Sequence, residues 1–156
     1  MYEYFAAIAN WGPSKAINES SWIFALVQAF HLVSLGFLAG SLLMVDLRLL
    51  GRGFSQQPLA TVARDARPWL IGSLVAMVLT GVPQFISLAT KEYDSVYFRW
   101  KMLMLLIALI FTFTIRRQVA QNGLAIGRPH LAKMTAIVSL ALWFGVAWGG
   151  RWIGFS

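Results

Sequence analysis

The sequence predicts an all-α fold, an integral membrane four-helix bundle, from three observations. The 156 residues are 58% hydrophobic and only 12% charged, which leaves too few charges to cover the surface of a soluble domain of this size. The mean hydropathy is +0.66. Four apolar segments, each near the roughly 20 residues that cross hydrocarbon, follow one another with short connections. We therefore predict one membrane domain over residues 1–156.

The segment from Met1 to Ser20 precedes the first apolar run. It has Glu3 but no basic residue before Lys15, so it does not match a cleaved secretory signal. Its aromatic residues come before Gly12 and Pro13, which is typical of a helix lying in the membrane interface. We expect a short N-terminal interfacial helix that stays on the mature protein.

Four spans are predicted at about residues 22–48, 68–90, 97–117 and 131–153. The segments between them carry glycine, proline or clustered charges, which break apolar helices. Tryptophans near the span ends are typical interfacial anchors, namely Trp22, Trp69, Trp100 and Trp152.

Basic residues predict the orientation. The first and third connections and their flanks hold eight of the 13 Lys and Arg residues, namely Arg48, Arg52, Arg64, Arg67, Arg116, Arg117, Arg128 and Lys133. The other side holds Lys15, Lys91, Arg99, Lys101 and Arg151. Since positive residues concentrate on the cytoplasmic side, we predict a multi-pass protein of the bacterial inner (plasma) membrane with both termini outside. The net charge of +7 is thus attributed to topology and lipid contact, and no nucleic-acid partner is predicted.

His31 is the main functional candidate, because an ionisable side chain inside a span must face a partner, a cofactor or water. Gln28, His31 and Ser34 recur every three residues and share one helical face, while Gly36 and Gly40 fall on the opposite face. Three roles for His31 stay open: a hydrogen-bonded structural histidine, an axial ligand to haem iron or another metal, and a proton relay. The chain has no cysteine, so thiolate ligands are excluded.

Other polar residues reach a similar depth. Thr80 and Gln84 lie roughly 10–15 Å from the outer end of the second span, as Gln28 and His31 do in the first. Lys101 is shallower but has a long flexible side chain. We predict that these residues meet around a cofactor, with Arg99 and Arg151 at the outer surface beside its negative groups. Ordinary interhelical hydrogen bonds for Thr80 and Gln84, and a snorkelling Lys101, are the alternatives.

Two further patterns favour structural roles. Asp46 and Arg48 are expected to form a cluster with Arg64 or Arg67 that pins the inner end of the first span. The glycine pairs Gly36 and Gly40, and Gly145 and Gly149, are typical of close helix packing, with a second protomer or a cofactor as the alternative.

Several motifs together resemble a family of small bacterial membrane proteins with no assigned function. They are I-N-E-S at 17–20, H-L-V-S-L-G at 31–36, G-S-L-L-M-V-D-L-R-L-L-G at 40–51, T-G at 80–81, F-R-W-K at 98–101 and G-R-W-I at 150–153. More distantly, the histidine of the first span and the lysine of F-R-W-K are similar to residues of HemJ-type protoporphyrinogen oxidases and CopD-like copper-resistance proteins. The HemJ resemblance implies haem binding by His31 and Lys101.

The leading hypothesis is a homo-oligomer that binds haem b through His31. Electron transfer or redox chemistry at the outer side of the membrane would follow, with a quinone or another redox partner. A single intramembrane histidine leaves the sixth iron ligand open between Met104, Lys101, a small molecule and His31 of a second protomer. The alternative is a non-enzymatic small-solute or ion transporter, a channel or an accessory subunit, also homo-oligomeric. Whether the protein is an enzyme stays open.

Overall fold

The structure is a computed structural model that describes residues 20–53, 56–87, 96–121 and 127–153. All of the regular elements in these ranges are helical, as the sequence predicts. The predicted N-terminal interfacial helix lies outside the described residues.

Five α-helices and one π-helical turn make up the described chain. They are α1 (Ser21–Leu49), α2 (Leu59–Ser87), α3 (Val96–Phe111), the π turn (Thr112–Arg116), α4 (Arg117–Gln121) and α5 (Pro129–Ile153). Helices α3 and α4 continue each other through the π turn, so the third apolar helix covers Val96–Gln121. Four helices are therefore long and apolar enough to cross a membrane, which indicates a multi-pass membrane protein.

Local sequence explains where these helices begin and end. The hydroxyl of Ser20 caps α1 by accepting a hydrogen bond from the backbone N–H of Ile23. Gly51 follows α1 with φ +76°, a left-handed conformation that glycine adopts without strain. Pro129 is the first residue of α5, where its missing N–H costs no helical hydrogen bond.

Helix α2 is longer than its apolar sequence predicts. It begins at Leu59, well before the predicted span near residue 68, and it contains both Pro68 and Pro83. Its first turn is closed by the carbonyl of Pro58, which accepts from the N–H groups of Thr61 and Val62. The difference arises because helix formation depends on backbone hydrogen bonds, whereas the predicted span marks only the part that suits hydrocarbon.

The helices pack as two pairs. Helix α1 lies against α2 and α3 lies against α5, and the pairs meet where α1 contacts α5 and where α4 contacts α2. A core cluster formed by Val45, Leu49, Val62, Ala66 and Ala136, among others, fills one end of the bundle. Leu38, Leu42 and Leu70 fill the middle.

The two ends of the bundle differ in chemistry. We call the end that holds His31, Thr80 and Lys101 the histidine end, and the end that holds Asp46 and Arg116 the aspartate end. Large apolar side chains project from the outside of the bundle, for example Trp22, which is 81% exposed, and Leu79, which is 69% exposed. Such an apolar exterior matches a lipid environment.

Candidate functional site

His31 and Thr80 join α1 to α2 at the histidine end. Nδ1 of His31 lies 2.8 Å from Oγ1 of Thr80, and both side chains are partly buried. The sequence prediction that Thr80 and His31 share a depth therefore holds in the structure, and the two residues are in direct contact.

The surroundings of Thr80 determine which nitrogen of His31 carries the proton. The Thr80 hydroxyl donates to the backbone carbonyl of Ala76, 2.7 Å away. A hydroxyl has only one proton, and with that proton on the Ala76 side both short contacts of Thr80 are hydrogen bonds, whereas donation to Nδ1 would leave the contact with Ala76 without a proton. We therefore assign the proton to Nδ1, and in this tautomer a neutral imidazole presents the lone pair of Nε2.

Gly81 lets α2 approach the His31 ring. A methyl group placed on Gly81 would lie 3.2 Å from Cε1 and 3.8 Å from Nδ1 of His31. Such a contact is tighter than normal packing, so alanine here would require the ring or α2 to move by a few tenths of an ångström. The consecutive residues Thr80 and Gly81 thus fix the imidazole by a hydrogen bond and by close contact.

Lys101 approaches the site from the other helix pair. Its side chain lies over Gly149 and Gly150 of α5, and a methyl group on Gly149 would lie 3.3 Å from Cβ of Lys101. Asp46, near the end of α1, contacts Arg116, just after α3, so the two helices run in the same direction and Lys101, near the start of α3, lies at the same end as His31. The structure thus brings a cation and an imidazole to one end of the bundle, from opposite pairs of helices.

The remaining predicted site residues occupy the same end in different ways. Gln84 is half-buried, and its side-chain amide donates to the backbone carbonyl of Thr80, 3.2 Å away. Gln28 is half-buried one turn before His31. Arg99 and Arg151 are exposed, and both make further interactions, as do Gln84 and Lys101. His31, Thr80, Gln84 and Lys101 therefore form the inner part of the candidate site, and the two arginines lie outside it.

The aspartate end holds a buried polar network. Nε of Arg116 donates to Oδ1 of Asp46 at 2.8 Å, and the Ser139 hydroxyl donates to Oδ2 at 2.7 Å. Arg116 also donates to the carbonyl of Leu42 at 2.9 Å. Asp46 is 0% exposed, so α1, the π turn and α5 meet around a fully enclosed carboxylate.

The sequence prediction was wrong about the partners of Asp46. Arg48 instead donates from Nε to the carbonyl of Gln57, 2.9 Å away, and Arg64 and Arg67 are exposed. Arg116 was counted among the charges of the third connection and its flanks and was not considered as a partner of Asp46, but the third helix continues past it to Gln121. The useful signal was Asp46 itself, since a carboxylate inside an apolar helix requires a buried donor.

The π turn places Arg116 in this network. A π turn holds one more residue than an α-helical turn, so it changes which side chains face the bundle. Arg116 is buried, whereas the next residue, Arg117, is exposed and donates to Gln121. Thr112 at the start of the turn accepts from Nε1 of Trp143 at 3.1 Å, which ties the turn to α5.

The two glycine pairs behave differently. Gly149 packs against Lys101, and Gly145 lies near Sδ of Met104, so helix packing is confirmed for the pair on α5. The prediction of helix packing was wrong for Gly36 and Gly40 on α1, because no described atom lies within 4 Å of a methyl group placed on either. Helix α1 turns His31 and Asp46 towards its neighbours, so these glycines face outwards.

The fold and the site together define a helical protein of the multi-pass membrane class, with polar residues from both helix pairs at one end of the bundle. The chain belongs to the family of unknown function DUF6644, whose model matches residues 18–156. This confirms the predicted membership of an uncharacterised family. No curated protein and no solved structure matches the chain, so the similarity to HemJ-type and CopD-like proteins rests only on the residues quoted above.

Proposed function

We propose that this protein binds haem b at the histidine end, with Nε2 of His31 as an axial ligand of the iron. One observation carries the proposal: Nδ1 of His31 lies 2.8 Å from the Thr80 hydroxyl, which lies 2.7 Å from the carbonyl of Ala76, so this nitrogen has a fixed partner on the neighbouring helix. Histidine ligands of metals commonly donate the other ring N–H to a fixed acceptor, which sets the tautomer and the ring orientation.

The residues present fit a metal that brings most of its own ligands. Among the described residues, no group of three or more His, Cys, Asp and Glu side chains could hold a metal ion. Haem needs only one or two protein ligands and suits apolar helical bundles. The site therefore fits haem better than a metal ion held by protein side chains alone.

The charge at this end suits haem carboxylates. Lys101 extends over Gly149 and Gly150, and Arg99 and Arg151 lie exposed near the ends of α3 and α5. Arginine has five N–H donors, so an arginine with one partner can still bind a propionate. We assign Lys101 to the propionate nearer His31 and the arginines to the surface.

Bound haem would supply one-electron redox chemistry, which favours electron transfer with a quinone or another redox partner. His31 would hold the iron from one side, and Thr80 would keep Nδ1 protonated through a change of iron charge. From the charge pattern of the sequence, we place this end at the outer side of the membrane. The homo-oligomer and the sixth ligand stay predictions.

Packing favours this proposal over transport through one protomer. Leu38, Leu42 and Leu70 fill the middle of the bundle between the two ends, and the buried hydroxyls there, of Ser34, Ser41 and Ser73, donate to carbonyls of their own helices. A water-filled path needs polar groups along its length.

The test compares the two histidines of the chain. His31→Ala removes the proposed ligand, and His130→Ala removes the exposed histidine at the start of α5. Each protein is expressed with ample haem, purified, and measured by its reduced-minus-oxidised spectrum and its haem content per chain. We expect a Soret band in wild type and in His130→Ala, and none in His31→Ala.

Two results would contradict the proposal. One is wild-type protein without a Soret band, and the other is an unchanged spectrum in His31→Ala that has the same oligomer size as wild type. Lost solute flux with no pigment in either protein would instead support the transporter.

A further inference from the structure

A groove runs along the outside of the bundle between α1 and α2. Two adjoining cavities of about 520 Å³ and 540 Å³ form it, and both are lined by Phe37 and Trp69, whose rings stack with centroids 5.6 Å apart. These volumes are typical of ligand clefts, which range over about 300–1,000 Å³. We call this feature the α1–α2 groove.

The groove is lined mainly by apolar residues, and the space above its glycines is empty. Gly36 and Gly40 line it from α1 and Gly72 lines it from α2. A methyl group on any of these glycines would meet no described atom within 4 Å. The groove therefore has room for an apolar occupant that is not a described part of this protomer.

The length of the groove matches one leaflet of a bilayer. Its lining on α2 extends from Asp65 to Ala76, and an α-helix rises about 16 Å over that distance. The hydrocarbon core of a bilayer is about 30 Å thick, so each leaflet contributes about half of that. Asp65 lies at the aspartate end, and the groove runs from there to the middle of the bundle.

Two charged groups of opposite sign mark that end of the groove. Asp65 lines it, is exposed, and forms no ion pair within the part of the chain that the structure describes. Arg48 lies four residues after Met44, which also lines the groove, so both are on the same face of α1. The bond from Nε of Arg48 to Gln57 holds the guanidinium at this place, with its terminal nitrogens left as donors.

We propose that the α1–α2 groove binds a phospholipid whose headgroup carries an amine, of the phosphatidylethanolamine type. One acyl chain lies in the groove against Phe37 and Trp69, the ammonium group contacts Asp65 and the phosphate contacts Arg48. A carboxylate and a guanidinium at the same end of the groove complement this headgroup, whereas an anionic lipid would meet Asp65 with a charge of the same sign.

A second copy of the chain suits the groove less well. Two protomers related by an axis along the helices would bring their Asp65 carboxylates to the same depth, where they repel each other. The lipid amine instead brings a charge of opposite sign to Asp65. This proposal does not depend on haem binding.

The experiment measures lipid retention by native mass spectrometry. Full-length protein in mild detergent is titrated with equal amounts of palmitoyl-oleoyl phosphatidylethanolamine and palmitoyl-oleoyl phosphatidylglycerol. We expect one tightly bound lipid per chain, with phosphatidylethanolamine preferred about tenfold, a ratio that one charge-assisted hydrogen bond can supply. Asp65→Asn should abolish the preference, and Arg64→Gln, which changes the neighbouring exposed charge, should keep it.

A second pair of variants tests the groove itself. Gly40→Leu fills the space above this glycine, and Ala39→Leu adds the same bulk to the next, exposed residue, which does not line the groove. We expect retained lipid to fall at least tenfold in Gly40→Leu and to stay at the wild-type level in Ala39→Leu, with equal helical content by circular dichroism.

Three results would overturn the proposal: equal retention in the two leucine variants, an unchanged headgroup preference in Asp65→Asn, or a wild-type dimer that dissociates in Gly40→Leu while lipid retention stays the same. The last result would assign the groove to a second copy.

Discussion

Nδ1 of His31 donates to the hydroxyl oxygen of Thr80 across the interface between α1 and α2, over 2.8 Å. Thr80 can act as the acceptor because it donates its own proton to the carbonyl of Ala76. The bond therefore orients the imidazole and leaves the lone pair of Nε2 available. Thr80 on α2 thus sets the tautomer of His31 on α1.

Thr80→Val should weaken haem binding while the fold persists. Valine has nearly the shape of threonine but cannot accept from Nδ1, so the His31 ring loses its orientation and its fixed tautomer. Loss of such an outer contact typically lowers metal affinity about 10–100-fold. Haem titration of the purified apoprotein measures the change. Thr114→Val is the matched control, because exposed Thr114 bonds only to the carbonyl of Ile110 in its own helix. Equal affinities in the two variants would contradict the role of Thr80.

Gly81→Ala should displace the His31 ring. The added methyl group would lie 3.2 Å from Cε1, so either the ring or α2 must move. Forced packing of this kind costs about 1–3 kcal/mol. Gly72→Ala is the control on the same helix, where the methyl group meets open space and alanine favours the helix. Thermal unfolding in detergent should show a lower midpoint for Gly81→Ala and no loss for Gly72→Ala. If the two midpoints shift alike, the contact with His31 does not limit stability.

Breaking the buried ion pair between Asp46 and Arg116 should lower the free energy of unfolding more than removing an exposed charge does. Asp46→Asn leaves the Arg116 guanidinium buried without its counter-charge, and removal of one partner of a buried pair costs about 3–5 kcal/mol. Arg117→Gln, which changes the exposed neighbouring arginine, should cost under about 1 kcal/mol. Unfolding by denaturant in mixed micelles measures both.

The double variant Asp46→Asn with Arg116→Gln completes the cycle. Because neither remaining side chain is charged, the double variant should lose less stability than the sum of the losses measured for Asp46→Asn alone and for Arg116→Gln alone. Simple additivity would show that the two groups act independently, contrary to the observed 2.8 Å contact.

Periodicity and depth placed His31 and Thr80 among five polar residues expected to meet, and the structure brings these two into contact. Both residues interrupt apolar runs at matching distances from the same end, and few polar groups are available there as partners. The four apolar helices followed for a similar reason, since length and hydropathy alone select segments that cross a bilayer.

The partner of Asp46 was out of reach for the same reasoning. Arg116 was counted only as a charge that sets the topology, and nothing in T-I-R-R-Q distinguishes buried Arg116 from exposed Arg117. The difference comes from a π turn, whose register depends on contacts with α1 and α5. The outward direction of Gly36 and Gly40 is likewise set by how α1 rotates against α2, and the glycine spacing does not encode that rotation.

The orientation predicted from the basic residues can be tested with single cysteines, because the natural chain has none. Gln56→Cys introduces a thiol into the exposed connection between α1 and α2, near the aspartate end. Val96→Cys does so at the first residue of α3, at the histidine end, where Val96 is 73% exposed. Neither substitution changes a charge, so the balance of Lys and Arg that sets the topology is preserved.

With a maleimide that does not cross membranes, intact cells should label Val96→Cys, and Gln56→Cys should react only after the membrane is opened. Ala108→Cys, at a position only 1% exposed, should stay unlabelled in both conditions and so report leakage or unfolding. The reverse pattern would place the His31 site at the cytoplasmic side and would require a cytoplasmic redox partner for the proposed haem.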